Sequence, residues 1–189
     1  MAIEAQTRMS GETYRRLALD DPDRKWELWN GFPREKPGMT AAHNFLEMKL
    51  GYMLMSQLDW SVYEVRVDAG RVHRPHATYF IPDVFVVPTA LVTPLLPLQD
   101  VLETYQEPLP LVVEVWSRST GDYDIEENLK VYQQRGDREI WRIHPYERTL
   151  TSWRRQTDGP YDEALFREGM IHPVALPGVA IDLAELFER

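Results

Sequence analysis

The chain contains no cysteine, so a disulfide scaffold, a cysteine-ligated zinc site, an iron–sulfur cluster and a thiolate nucleophile are all excluded. Lysine is scarce as well. Lys25, Lys36, Lys49 and Lys130 are the only four, and the rest of the positive charge is arginine, so a mechanism that needs an ammonium group has few candidates. No apolar run approaches the roughly 18 to 20 residues that a membrane-spanning helix requires. The opening MAIEAQTRMSGETYRR lacks the apolar stretch of a signal peptide. A cytoplasmic protein with no membrane partner is the expectation.

What remains is 189 residues, 43% hydrophobic, with 14 prolines and 10 glycines. That is enough for one full core, so a single domain over residues 1–189 is expected. Thirty acidic residues against 21 lysines and arginines give a formal charge of −9. The surface as a whole repels polyanions, and a nucleic-acid role needs a local basic patch.

Ser10 precedes a short helical segment, GETYRRLAL, that ends in the acidic turn DDPD. WELWNG alternates up to Asn30-Gly31, a turn pair tolerant of positive φ, and predicts a hairpin that sets Glu27 opposite to Trp26. Thr40 caps a predicted helix to about Gln57, in which His43, Leu46, Leu50 and Leu54 share one face. SVYEVRVDAG and HATYFIPDVFVVP read as adjacent strands parted by a polar turn at residues 71–75. Residues 88–110, with five prolines among leucines, predict an irregular apolar excursion that packs on the domain or on a second copy.

PLVVEVW has the nearly continuous apolar character of a central strand covered on both faces. A helix from about Asp124 to Arg135 follows, stopped by Gly136. Strands are then expected at REIWRIHP, TLTSWRRQ, YDEALFRE and IHPVALP, before a short helix DLAELFE. This order fits the α/β class, a mixed sheet flanked by helices.

Glu114 is the strongest chemical signal, because an ionised carboxylate in an apolar strand must be paired, protonated or bound to a cation. Asp83 follows Pro82 at the start of another apolar strand, where its carboxylate can project toward the same cleft. Two such acids suit a hard divalent cation. The structural alternatives are a turn role for Asp83 and a buried arginine partner for Glu114. Asp124 reads as a helix N-cap, and Tyr132 and Trp141 read as core.

WELWNG, His43 at a helix start, IPDVFVVP, PLVVEVWSRST, Asp124 with Tyr132 eight residues on, and REIWRIHP occur in this order. Together they resemble the PD-(D/E)XK nuclease superfamily, and within it the Uma-type restriction-endonuclease-like group, over about residues 26–150. The resemblance implies the restriction endonuclease-like fold and a metal-dependent DNA endonuclease that uses Mg2+ or Mn2+. Asp83, Glu114 and the Val115 carbonyl would be metal ligands, with His43 and Glu27 in the same cleft. The superfamily lysine two residues after the glutamate is replaced here by Trp116. The Uma-type group places its lysine four residues before the tyrosine, and that position is Asn128.

Asn128 can orient water but brings no charge and shuttles no proton. Two readings follow: a cleaving endonuclease, or a catalytically weakened or inactive nuclease fold that serves as a binding or regulatory subunit. A metal-free hydrolase with paired carboxylates explains Glu114 but not the ordered motifs. Arg66 and Arg71 are the favoured phosphate contacts, since they lie near the Asp83 strand in sequence. A homodimer is expected, because two sites can address the two strands of a duplex.

Overall fold

The computed structural model describes residues 8–74, 77–118, 121–157 and 159–188; for residues 121–125 it describes the backbone alone. Local signals place many of its elements. Ser10 caps α1 (Gly11–Asp20) by accepting the Thr13 N–H. β1 (Trp26–Trp29) and β2 (Phe32–Glu35) form the expected hairpin, closed by Asn30 and Gly31 at φ 45° and 88°. Thr40 caps α2 (Ala41–Met55), whose His43, Leu46, Leu50 and Leu54 are all buried.

β3 (Tyr63–Val67), β4 (Val72–Arg74), β5 (Thr78–Phe80) and β6 (Val84–Pro88) correct two expectations. The segment read as a polar turn contains β4, which pairs with β5 through Val72 and Phe80. The run HATYFIPDVFVVP is two strands, because Pro82 brings no N–H to a ladder. Its halves join different sheets. A one-turn helix, α3 (Thr89–Val92), opens the excursion that the prolines had predicted to be irregular; it starts after Pro88, where a missing N–H breaks no intrahelical bond. Leu102, Tyr105 and Leu109 of the excursion are buried, whereas Leu96, Leu98 and Val101 are exposed.

β7 (Leu111–Val115), α4 (Gly121–Arg135), β8 (Glu139–His144), β9 (Thr149–Arg155) and β10 (Tyr161–Phe166) follow. Because α4 begins at Gly121, Asp124 stands within its first turn and is not the N-cap; its side chain lies outside the described residues. β11 (Met170–Ile171) is shorter than the predicted IHPVALP strand and pairs with β12 (Ile181–Asp182), just before α5 (Leu183–Phe187).

The larger sheet has the order β10-β9-β8-β7-β6-β3 and the smaller β2-β1-β5-β4. Among the described strands, only β7 and β8 pair in parallel, and α4 supplies the crossover that a parallel pair needs. α2 and α5 pack with Val113 and Val115 on one side of β7; Val131 and Tyr132 of α4 pack with Val112 and Ile140 on the other. The architecture is α/β, a mixed sheet flanked by helices. Ile81, Pro82 and Asp83 form the bend where the chain passes from the small sheet to the large one.

Candidate active site

The bend at Ile81–Asp83 is fixed by a carboxylate from another strand. Glu27, on β1, accepts the Ile81 N–H at 2.9 Å with one oxygen and Arg34 Nε at 3.0 Å with the other. Arg34 is its cross-strand partner in the hairpin. Glu27 is buried, so it is not a solvated hairpin residue.

The register that pairs Val84 with Val113 brings Asp83 opposite Glu114. Asp83 is buried and accepts three hydrogen bonds: Lys36 Nζ at 2.7 Å on Oδ1, and His43 Nε2 at 3.1 Å and the Val115 N–H at 2.7 Å on Oδ2. Trp116 N–H bonds Ile143 across β7 and β8, so Val115, one residue earlier, turns its N–H and carbonyl to the other edge, toward Asp83. Burial pushes the Asp83 pKa up, but the Lys36 ammonium and the His43 bond outweigh it and hold this carboxyl well below the usual range.

Glu114 is its counterpart. Burial first, and the neighbouring Asp83 charge second, raise its pKa well above the usual glutamate value and favour its neutral form. The Tyr132 hydroxyl hydrogen-bonds to its Oε1. Tyr132 is therefore both core, as its spacing predicts, and a direct partner of the site acid. One turn earlier on the same face lies Asn128, whose buried side-chain oxygen has no hydrogen-bond partner among the described residues.

His43 bridges two acids. Its Nδ1 lies 3.4 Å from Glu47 Oε1, out of line for a hydrogen bond, while Nε2 meets Asp83. Burial alone would lower its pKa, but the two carboxylates raise it to about 10. The ring is thus an imidazolium at neutral pH. Oxygens of Asp83 and Glu47 and a His43 nitrogen lie within 4.8 Å of one another, a set that could hold a metal ion. Asp83 and Glu47 nevertheless sit on opposite ring nitrogens, which suits a bridge better than a common ligand sphere.

Four expected site residues, Glu27, His43, Asp83 and Glu114, thus converge with the Val115 backbone on the junction of the two sheets. Arg66 and Arg71 are held elsewhere: Arg66 by Glu103 at 2.6 Å and Glu64 at 3.0 Å, Arg71 by the Tyr14 hydroxyl at 2.8 Å. Arg66 stands opposite Phe85 in the ladder, and nearness along a strand does not say where a long side chain ends.

Three residues at the site carried no functional signal in the sequence reading. Lys36, just after β2, buries its ammonium against Asp83, the Ile81 carbonyl at 2.9 Å and Asp68 at 3.0 Å. Asp68 extends the β3–β6 ladder beside Asp83, donating its N–H to the Asp83 carbonyl. Glu47 is one helical turn after His43. The scarcity of lysine and the i, i+4 spacing of His43 and Glu47 were the signals available.

The donor set fits a hard cation. A carboxylate offers about four lone-pair positions, and Asp83 uses three; Glu114 Oε2 makes no hydrogen bond to a described residue. These oxygens and the Val115 carbonyl are the donors that Mg2+ or Mn2+ prefers.

The model of the Uma2 family, described as a putative restriction endonuclease, matches residues 12–184. A solved structure of similar fold is a putative nuclease belonging to DUF820 from Anabaena variabilis ATCC 29413, with a TM-score of 0.71 at 15% identity. The alignment covers 89% of this chain and 96% of that one. No curated protein matches the chain in sequence.

Proposed function

Since the chain belongs to the Uma2 family of restriction-endonuclease-like proteins, we propose that it is a divalent-cation-dependent endonuclease that hydrolyses phosphodiester bonds in DNA. Water adds across a P–O bond to leave a phosphate monoester and a hydroxyl. The observation that carries this reading is the placement of two buried carboxyl groups, Asp83 and Glu114, opposite each other where β6 meets β7, with the Val115 N–H bonded to Asp83.

Asp83, Glu114 and the Val115 carbonyl would hold Mg2+ or Mn2+. When bound, the cation supplies positive charge that polarises the phosphodiester and acidifies a water. The chain's own groups prepare the place. Lys36 and His43 keep Asp83 ionised, the Val115 N–H aims it, Glu27 fixes the bend that presents it, and Tyr132 orients Glu114. Asn128 is placed to hydrogen-bond a water with its unpartnered oxygen.

Two copies acting together would cut both strands of a duplex, and light scattering at micromolar concentration tests that part alone. The central test is cleavage of supercoiled, linear and single-stranded DNA with Mg2+ or Mn2+, comparing the parent with Asp83→Asn and Asn128→Lys. Cutting by the parent and not by Asp83→Asn supports the endonuclease. Cutting by Asn128→Lys alone supports the second reading, a nuclease fold that has lost cleavage through Asn128.

A further inference from the structure

We infer that Lys36 is the cation of this cleft, meeting the substrate phosphate from the hairpin wall and supplying the charge that Asn128 on α4 does not. The inference rests on the endonuclease reading and concerns how this chain completes its site.

Lys36 Nζ is the one ammonium among the described residues that touches Asp83. Its side chain is 7% exposed, yet it also lines a cavity of about 340 Å3 together with Lys25, Asn44 and Asp68. It therefore joins the buried carboxylates to the solvent side. Its place is set by the backbone: the Lys36 N–H bonds the Lys25 carbonyl, which continues the β1–β2 ladder, and Pro37 keeps it extended.

All three ammonium donors are used, by Asp83, the Ile81 carbonyl and Asp68. A lysine so bound is a fixed charge and no proton shuttle. Its three bonds are unequal. Asp83 and the Ile81 carbonyl belong to the bend, whereas Asp68 is 26% exposed at the cavity and is also paired with Lys25. The Asp68 bond is the one that a phosphate oxygen entering from the cavity replaces, with Lys25 left to balance Asp68.

Two consequences separate this role from structural pairing. A cation beside Asp83 repels a second one, so Lys36 weakens divalent binding while it strengthens phosphate binding. The charge is also transferable to the opposite wall. Lys36→Met, Lys36→Gln and the double variant Lys36→Met/Asn128→Lys are compared with the parent. Mn2+ affinity is measured by calorimetry without DNA, affinity for a linear duplex in Ca2+, and cleavage in Mg2+.

Lys36→Met should bind Mn2+ about tenfold more tightly, bind duplex more weakly, and lose about a hundredfold or more in cleavage. The double variant should regain a measurable part of that loss. Unchanged Mn2+ affinity in folded Lys36→Met, or cleavage equal to the parent, overturns the inference. If Lys36→Met does not fold, Lys36→Gln, which keeps a donor for Asp83 without the charge, decides by the same readouts. If the parent itself does not cut DNA, the endonuclease reading fails while the Mn2+ and duplex affinities still decide the role of Lys36: opposite shifts support it, and no shift overturns it.

Discussion

The Tyr132 hydroxyl hydrogen-bonds to Glu114, so the helix that crosses from β7 to β8 also holds the acid of the central strand. The bond favours the ionised form of Glu114, against burial, which opposes it. Tyr132→Phe should cost about 1 kcal/mol of stability, the usual size of one lost hydrogen bond. It should also weaken divalent binding, since Glu114 becomes harder to ionise. Urea unfolding and an Mn2+ titration check the two effects separately.

Because burial and the Asp83 charge favour the neutral form of Glu114 and a metal ligand must be ionised, cation uptake should be coupled to proton release. Calorimetry in buffers of different ionisation enthalpy reads this directly. Mn2+ affinity should rise with pH, and Glu114→Gln should abolish the proton release. A buffer-independent binding heat in the parent would contradict Glu114 as the ligand that gives up a proton on binding.

The stability of the metal-free protein has a predictable pH profile. The folded pKa of Asp83 lies below its unfolded value, so its contribution is present above about pH 4 and is lost as pH falls. His43 is shifted the other way, from 6.5 to about 10. Its contribution is complete below about pH 6.5 and is lost as pH rises through 10. Glu114, whose folded pKa lies above its unfolded value near 4.5, contributes most below about pH 4.5 and loses that contribution progressively as pH rises above it. Urea midpoints should therefore be highest near pH 4 to 5, decline as pH rises with a further fall above about pH 6.5, and decline again on the acid side.

Glu139 offers a control away from the cleft. This fully buried acid accepts bonds from Trp141 Nε1, Ser152 Oγ, Arg154 Nε and the Val174 N–H. Glu139→Ala strands four donors at once and should cost about 3 kcal/mol or more. Mn2+ affinity of the folded fraction should not change. A parallel loss of metal binding would mean that the two regions are coupled.

What could be read from the sequence follows the range of the interaction. The caps Ser10 and Thr40 and the Asn30-Gly31 turn act within a few residues, and each stands where the pattern put it. Glu114 was visible because a charge in an apolar strand contradicts its surroundings. Lys36 was not, since its partners Asp68 and Asp83 are 32 and 47 residues away and its own segment has no periodicity. Arg66 and Arg71 illustrate the same limit, because their acceptors, Glu103 and the Tyr14 hydroxyl, are 37 and 57 residues distant.

Arg135 ties the proline-rich excursion to the end of α4. Its buried guanidinium pairs with Asp137 and donates to the backbone carbonyls of His73, Tyr105 and Glu107. Three remote stretches of chain thus share one knot. Their amides should exchange with solvent as a single cooperative unit, and a cut in the excursion would loosen the same helix that carries Tyr132 to Glu114. Proteolytic nicking between β6 and β7 would then reach the cleft without touching a residue in it.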